Sequence, residues 1–157
     1  MTELERLLIE QACTRLQTLY CIHADNGAVD DFTALFAEDG SVTVPEHPAF
    51  AGHPAIRASM QALADTGVTM RHVMSNSLIN VQTESRATGL CYLTAYASAA
   101  PADVNGSRPM EQAGTIGHYS DEFTRTPAGW RFKSRVLTRV LRKTDDAVQQ
   151  AARTQRK

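Results

Sequence analysis

Tyr20-Cys-Ile-His-Ala-Asp25-Asn-Gly and, further on, Met70-Arg-His72 carry the side chains of this sequence best equipped to move a proton. The first stretch closes an apolar helix; the second opens a strand. A carboxylate and an imidazole in apolar surroundings can take a proton from one atom and return it to another near neutral pH. Asp25 follows a helix C-terminus, where the dipole disfavours an anion, and apolar residues precede it. Both favour a proton acceptor. The other reading is a solvated, turn-capping Asp before Asn26-Gly27. On a strand, Met70, His72 and Met74 share one face while Arg71 and Val73 share the other. A His between two Met on its own face belongs inside something apolar, where a neighbouring carboxylate would fix its tautomer. The alternative is a core histidine bonded to a backbone carbonyl. The two assignments stand or fall together.

Other side chains are candidates for holding a substrate. Tyr20 lies about one and a half turns before Asp25, on the stripe of Leu16. Its hydroxyl can polarise a substrate oxygen, or it is an aromatic core residue. His23 follows on that stripe. Tyr96 shares a face with Tyr92 and Thr94, opposite Cys91, Leu93, Ala95 and Ala97. His118 and Tyr119 point to opposite sides of their strand. Arg135 shares a face with Leu137, Lys133 and Arg131; buried, it would need a partner, and otherwise it is a surface Arg. His47 and His53 sit in a loop near Phe50.

These groups need a scaffold. Leu4, Leu7, Leu8, Ala12, Leu16, Leu19, Tyr20 and His23 recur at helical spacing and predict a helix over about 3–24, ended by Asn26-Gly27. A short helix over Val29–Phe36 places Phe32, Leu35 and Phe36 on one stripe. A strand over Ser41–Val44, a loop with Pro45, Pro48 and Gly52, and a helix from about Pro54 to Asp65 follow. Residues 69–82, 86–99, 112–126 and 130–142 read as four strands. The connection 100–110 is a long polar hairpin loop. Helices first and then a meander of long strands is an α+β pattern. A strongly curved, mostly antiparallel sheet wrapped onto three helices would enclose a cone. Residues 1–143 form that domain, and 144–157 a polar tail with no core-forming stripe.

The chain has 157 residues, 43% hydrophobic and 21% charged, with a formal net charge of −1. One domain with a real core fits that length. The charge balance argues against a sequence-independent nucleic-acid binder, although Arg and Lys crowd residues 125–143. No run of about 18 apolar residues is available to span a membrane. The acidic, amphipathic start MTELERLL does not read as a signal peptide, and none is expected. Cys13, Cys21 and Cys91 lack metal-type spacing and read as reduced, buried or half-buried thiols of a cytoplasmic protein. No His pair has metal-ligand spacing, and no Gly-rich phosphate loop or G-x-S-x-G elbow occurs. No metal or cofactor is expected.

Order and motifs together resemble the SnoaL-like branch of the NTF2-like superfamily. The matching features are Tyr20-x-x-x-x-Asp25, Val29-Asp-Asp-Phe-Thr-Ala-Leu-Phe-Ala-Glu-Asp39-Gly, Gly52-His-Pro-Ala-Ile56 and Arg71-His72-x-x-x-Asn76, followed by Gly117-His-Tyr119-Ser-Asp121-Glu-Phe123 and Gly129-Trp130-Arg131 to Arg135. They cover about residues 5–142. Within the superfamily the chain is similar to the scytalone dehydratase and bile-acid 7α-dehydratase types, which carry a Tyr and an Asp near the end of the first helix and a His opening a sheet strand. The resemblance places Tyr20, Asp25 and His72 in those roles and makes Arg135 a match for an Arg in the last strand. Those dehydratases have a further acid or imidazole on the strand after the His. Here that region reads Leu93-Thr-Ala-Tyr96-Ala, with Tyr96 its only ionisable group.

The resemblance implies an enzyme without cofactor that eliminates water from, or shifts a double bond in, a hydrophobic cyclic or aromatic molecule such as a steroid-like, polyketide-like or aromatic-degradation intermediate. Asp25 and His72 would exchange the proton, and Tyr20 or Tyr96 would hold an oxygen. The competing implication is a ligand-binding or assembly subunit, like the β subunits of ring-hydroxylating dioxygenases. Apolar positions such as Val136, Leu137 and Val140 on an outer sheet face point to a homodimer or homotrimer.

Overall fold

The computed structural model describes residues 1–110 and 113–142. Helix α1 (Glu3–Asn26) is fixed at both ends. Thr2 Oγ1 accepts from the Glu5 backbone at 3.2 Å while Glu5 Oε2 accepts from the Thr2 backbone at 2.6 Å. This reciprocal box satisfies two donors a helix start otherwise leaves unpaired. Gly27, at φ 66°, ends the helix in the left-handed conformation. The buried stripe runs Ile9, Cys13, Leu16, Tyr20, Cys21 and Ala24; Leu4, Leu7 and Leu8, although periodic with it, are exposed.

Helix α2 (Val29–Thr33) is shorter than its periodicity predicts. The Leu35 carbonyl accepts from the backbone of Phe132 at 2.9 Å, so the chain is already docking beside a strand. Strand β1 (Phe36–Thr43) therefore starts where the sequence predicts a helix to continue. Pairing with a neighbouring strand overrides local helix preference there. Within the expected loop, Phe50–Ala51 forms a short strand, β2, ahead of helix α3 (Gly52–Ala64). Strands β3 (Thr69–Thr83), β4 (Arg86–Ser98), β5 (Thr115–Thr126) and β6 (Gly129–Arg142) follow. The expected tail lies outside the described residues.

The six strands form one sheet in the order β2-β1-β6-β5-β4-β3. Every pairing is antiparallel except β1 with β6. Helix α1 packs along β3, the edge strand. The centre of the expected cone is filled: Tyr20, Phe32, Phe36, Tyr119, Phe123 and Phe132 pack ring on ring, with centroids 4.8–6.3 Å apart. Burying each such ring is worth about 1.5–3 kcal/mol, a strong bias against an open centre.

A bulge in β6 corrects one expectation. Glu122 pairs with Ser134 and Phe123 with Phe132, so Lys133 is the extra residue and the face parity flips there. Arg135 thus joins Trp130 and Phe132 on the inner face, not Arg131 and Lys133. Leu137 also packs against the core, leaving Val136 and Val140 exposed.

Candidate active site

Asp25 and His72 meet. The last turn of α1 carries Asp25 to the free side of β3, where backbone N–H groups have no strand partner. Asp25 Oδ2 accepts from the His72 backbone N–H at 2.9 Å, and Oδ1 lies 2.5 Å from His72 Nδ1. The carboxylate grips both main chain and ring, which sets the ring's orientation. Both side chains are largely covered, 9% exposed for Asp25 and 13% for His72. An ionised carboxylate only accepts, so Nδ1 carries the hydrogen and the neutral ring has its lone pair on Nε2. Nε2 has no protein partner among the described residues.

His72 lines a groove of about 320 Å³ between α1 and β3. Thr14, Gln17, Thr18, Cys21 and Ile22 form the helix wall; Met74, Ser75 and Ser77 continue the strand wall. The volume sits at the low end of the range for small-molecule sites, about 300–1,000 Å³. It is a groove at the sheet edge rather than the central cone.

Beneath its floor lies a buried polar chain. Arg135 is fully buried, with its guanidinium carbon 4.1 Å from the Tyr20 ring centroid and 3.9 Å from that of Tyr119. Its Nη2 contacts Cys91 Sγ at 3.3 Å and Met74 Sδ at 3.6 Å, so Met74 separates the guanidinium from the groove. Arg135 and Asp121 are register partners on β6 and β5, with Nε 3.2 Å from Oδ1: an ion pair, though out of line for a straight hydrogen bond. Asp121 Oδ2 accepts from Gln17 Nε2 at 2.9 Å. Burial pushes the Asp121 carboxyl above its usual range, with Arg135 and Gln17 opposing. Burial works against the Arg135 charge, but Asp121 together with Tyr119, Tyr20 and Cys91 outweighs it and holds the guanidinium above its ordinary value.

Not every candidate reaches the groove. Tyr20 is in the aromatic core beside Tyr119, and burial pushes its hydroxyl up to about 12, so it stays protonated at neutral pH. His23 is half-buried and does not line the groove. Tyr96 pairs with Arg71, on the face opposite Ala95 and His72. His118 lies between Tyr92 and Thr138 on the outer face. Gln17, Ser77 and Asp121 are not among the candidates the sequence offers. Gln17 and Asp121 had a readable signal: a polar residue inside an otherwise apolar inward pattern, Cys13-Gln17-Tyr20 on α1 and Tyr119-Asp121-Phe123 on β5. Among the described residues, no three His, Cys, Asp or Glu converge as a metal site, and no helix is long and apolar enough to cross a membrane.

The three cysteines are free and buried. Burial pushes Cys13 and Cys21 up to about 12 and Cys91 up to about 11. Since the thiolate is the nucleophile, iodoacetamide at pH 8 should leave the native protein essentially unmodified and label all three cysteines in urea. Rapid native labelling of Cys21, which lines the groove, would contradict this burial.

A family model of the SnoaL-like domain matches residues 5–136. The chain belongs to the SnoaL-like family. No curated protein matches this SnoaL-like chain at a significant level. Among solved structures, a candidate scytalone dehydratase from Novosphingobium aromaticivorans is similar at 22% identity and TM-score 0.77, covering 90% of this chain and 91% of its own. LinA is similar at 15% identity and TM-score 0.74, covering 92% and 96%. A candidate aromatic ring hydroxylase from Novosphingobium aromaticivorans is similar at 17% identity and TM-score 0.68, covering 86% and 91%. At these identities the likeness is one of NTF2-like fold, which hosts many chemistries.

Proposed function

We propose that this SnoaL-like protein is a cofactor-independent acid–base enzyme of the dehydratase or isomerase kind, acting on a small hydrophobic ring compound held in the groove. The supporting observation is His72, which lines the groove, is gripped by Asp25 through Nδ1 and has Nε2 without a protein partner among the described residues. In an elimination, Nε2 takes a proton from a ring carbon and a double bond forms as the adjacent C–O bond breaks. The leaving hydroxide then takes the proton from Nε2 and departs as water. In an isomerisation, the proton returns to a different carbon. Asp25 stabilises the transient imidazolium. Arg135 supplies positive charge beneath the floor, and Met74 would have to move for a substrate oxygen to touch it. Names carried by neighbours in the fold, a candidate scytalone dehydratase among them, fit this chemistry. Turnover of hydroxylated or enolisable ring compounds by the wild type and by His72→Ala tests the reading.

One observation favours a second reading, a ligand-binding or assembly subunit. The residue paired with His72 across β3 and β4 is Ala95, so no second titratable group faces the dyad from that strand. Exposed Leu78, Leu90, Tyr92, Ile116 and Val136 on the outer sheet face would suit a partner surface. With the enzyme reading goes self-association through that face. Gel filtration at micromolar concentration should give a homodimer or homotrimer. A monomer would overturn self-association, and co-purification in fixed ratio with a larger iron–sulfur protein would support the subunit reading.

A further inference from the structure

The groove has a polar end as well as an acid–base end. In β3, Ser75 pairs with Tyr92 and Leu78 with Leu90, so Asn76 and Ser77 together face Cys91. Asn76 takes φ 52°, a left-handed conformation that Asn tolerates better than most residues. Such a bulge re-aims the side chain beside it, and Ser77 lines the groove. Its Oγ donates to Gln17 Oε1 at 2.6 Å. Gln17 has no exposed surface, and its amide orientation is set from behind: Nε2 donates to Asp121, so Oε1 faces Ser77. The reverse orientation would set two acceptor oxygens against each other. Space for this amide depends on Gly89, where an added Cβ would lie 3.2 Å from Gln17 Nε2 and 2.8 Å from Phe123.

A hydroxyl has one hydrogen. With Ser77's committed to Gln17, only its lone pairs are left for a ligand. Thr18, on the opposite wall, gives its hydrogen to the Thr14 carbonyl at 3.1 Å and is likewise left as an acceptor. Along the helix wall the groove runs from Thr14 to Ile22, about 12 Å at 1.5 Å per residue. His72 sits near the Ile22 end with Asp25, and Ser77 near Gln17.

On the reading that this groove is the active site, we propose that Ser77 is a specificity residue that accepts a hydrogen bond from the ligand's far end. The substrate is then an elongated ring compound with its reacting C–H at one end and an O–H or N–H donor at the other. An ether or carbonyl placed against Ser77 and Thr18 meets two oxygens whose hydrogens are already committed and is disfavoured.

Titration of biphenyl-4-ol and 4-methoxybiphenyl into ¹⁵N-labelled protein, followed by NMR, tests this without turnover. The wild type should bind the phenol about 2- to 12-fold more tightly than the ether, the range of one neutral hydrogen bond. Ser77→Ala should erase the preference and Ser77→Thr, which keeps the hydroxyl, should retain it. His72→Ala should also retain it, so a failed acid–base reading leaves this result standing, and the converse holds. An equal affinity for the two compounds in wild type, no binding of either, or a preference that survives Ser77→Ala would overturn the assignment.

Discussion

Replacing His72 by alanine should lower kcat by about 10²- to 10⁴-fold, the usual worth of one general acid–base group, with little change in KM. Asp25 holds the ring through Nδ1, which leaves Nε2 to act on a substrate, and the other residues lining the groove are unchanged by the substitution. Asp25→Asn keeps the shape of the carboxylate and removes its charge. It should cost a comparable factor, because the imidazolium loses its stabilising partner and the tautomer is no longer fixed. The double variant should be no slower than the slower single variant, since the two side chains act as one unit. Steady-state kinetics on any substrate found by screening gives all three comparisons. Independent, multiplying losses would mean that Asp25 and His72 do not work together, and unchanged turnover in His72→Ala would remove the mechanism.

Arg135→Met should produce the largest loss of stability. It leaves Asp121 buried without its cation, and breaking a buried pair from one side costs about 3–5 kcal/mol. Methionine fits the space between the Tyr20 and Tyr119 rings, so the loss reports the charge more than a cavity. Adding Asp121→Asn should return part of it. The sign with pH follows from Asp121. Burial raises its carboxyl in the folded chain, so folding is favoured by this group below the ordinary carboxylate value of 3.8 and loses that contribution as pH rises through the raised value. Removing Arg135 takes away the largest opposing influence and should steepen the decline. Urea midpoints of wild type, Arg135→Met and the double variant across a pH series would show it. A single variant as stable as wild type would contradict a buried ion pair.

Much of the architecture is legible in the residues, because helix α1 and the four long strands each repeat their own period over many positions. The meeting of Asp25 with His72 is legible for the same reason: a helix end and a strand start carry them, and these positions depend little on register. What escapes the sequence depends on facing. Leu16, Tyr20 and Cys21 lie on one stripe, and nothing in that stripe tells that Cys21 touches the groove while Tyr20 packs in the core. Both faces of β4 carry apolar residues, with Leu90 and Tyr92 outside and Cys91 and Leu93 inside, so alternation leaves the side of Tyr96 open. Simple alternation puts Arg135 on the face of Arg131 and Lys133, because it cannot register that one inserted residue, Lys133, shifts the parity of everything after it. Ser77 reaches the groove through a bulge that no periodicity announces.

The direct test of the dyad is the ¹⁵N spectrum of the His72 ring at neutral pH. A hydrogen fixed on Nδ1 is expected, seen as a downfield proton resonance coupled to that nitrogen, together with its loss in Asp25→Asn. A neutral ring with its hydrogen on Nε2, or a spectrum unchanged by Asp25→Asn, would contradict it.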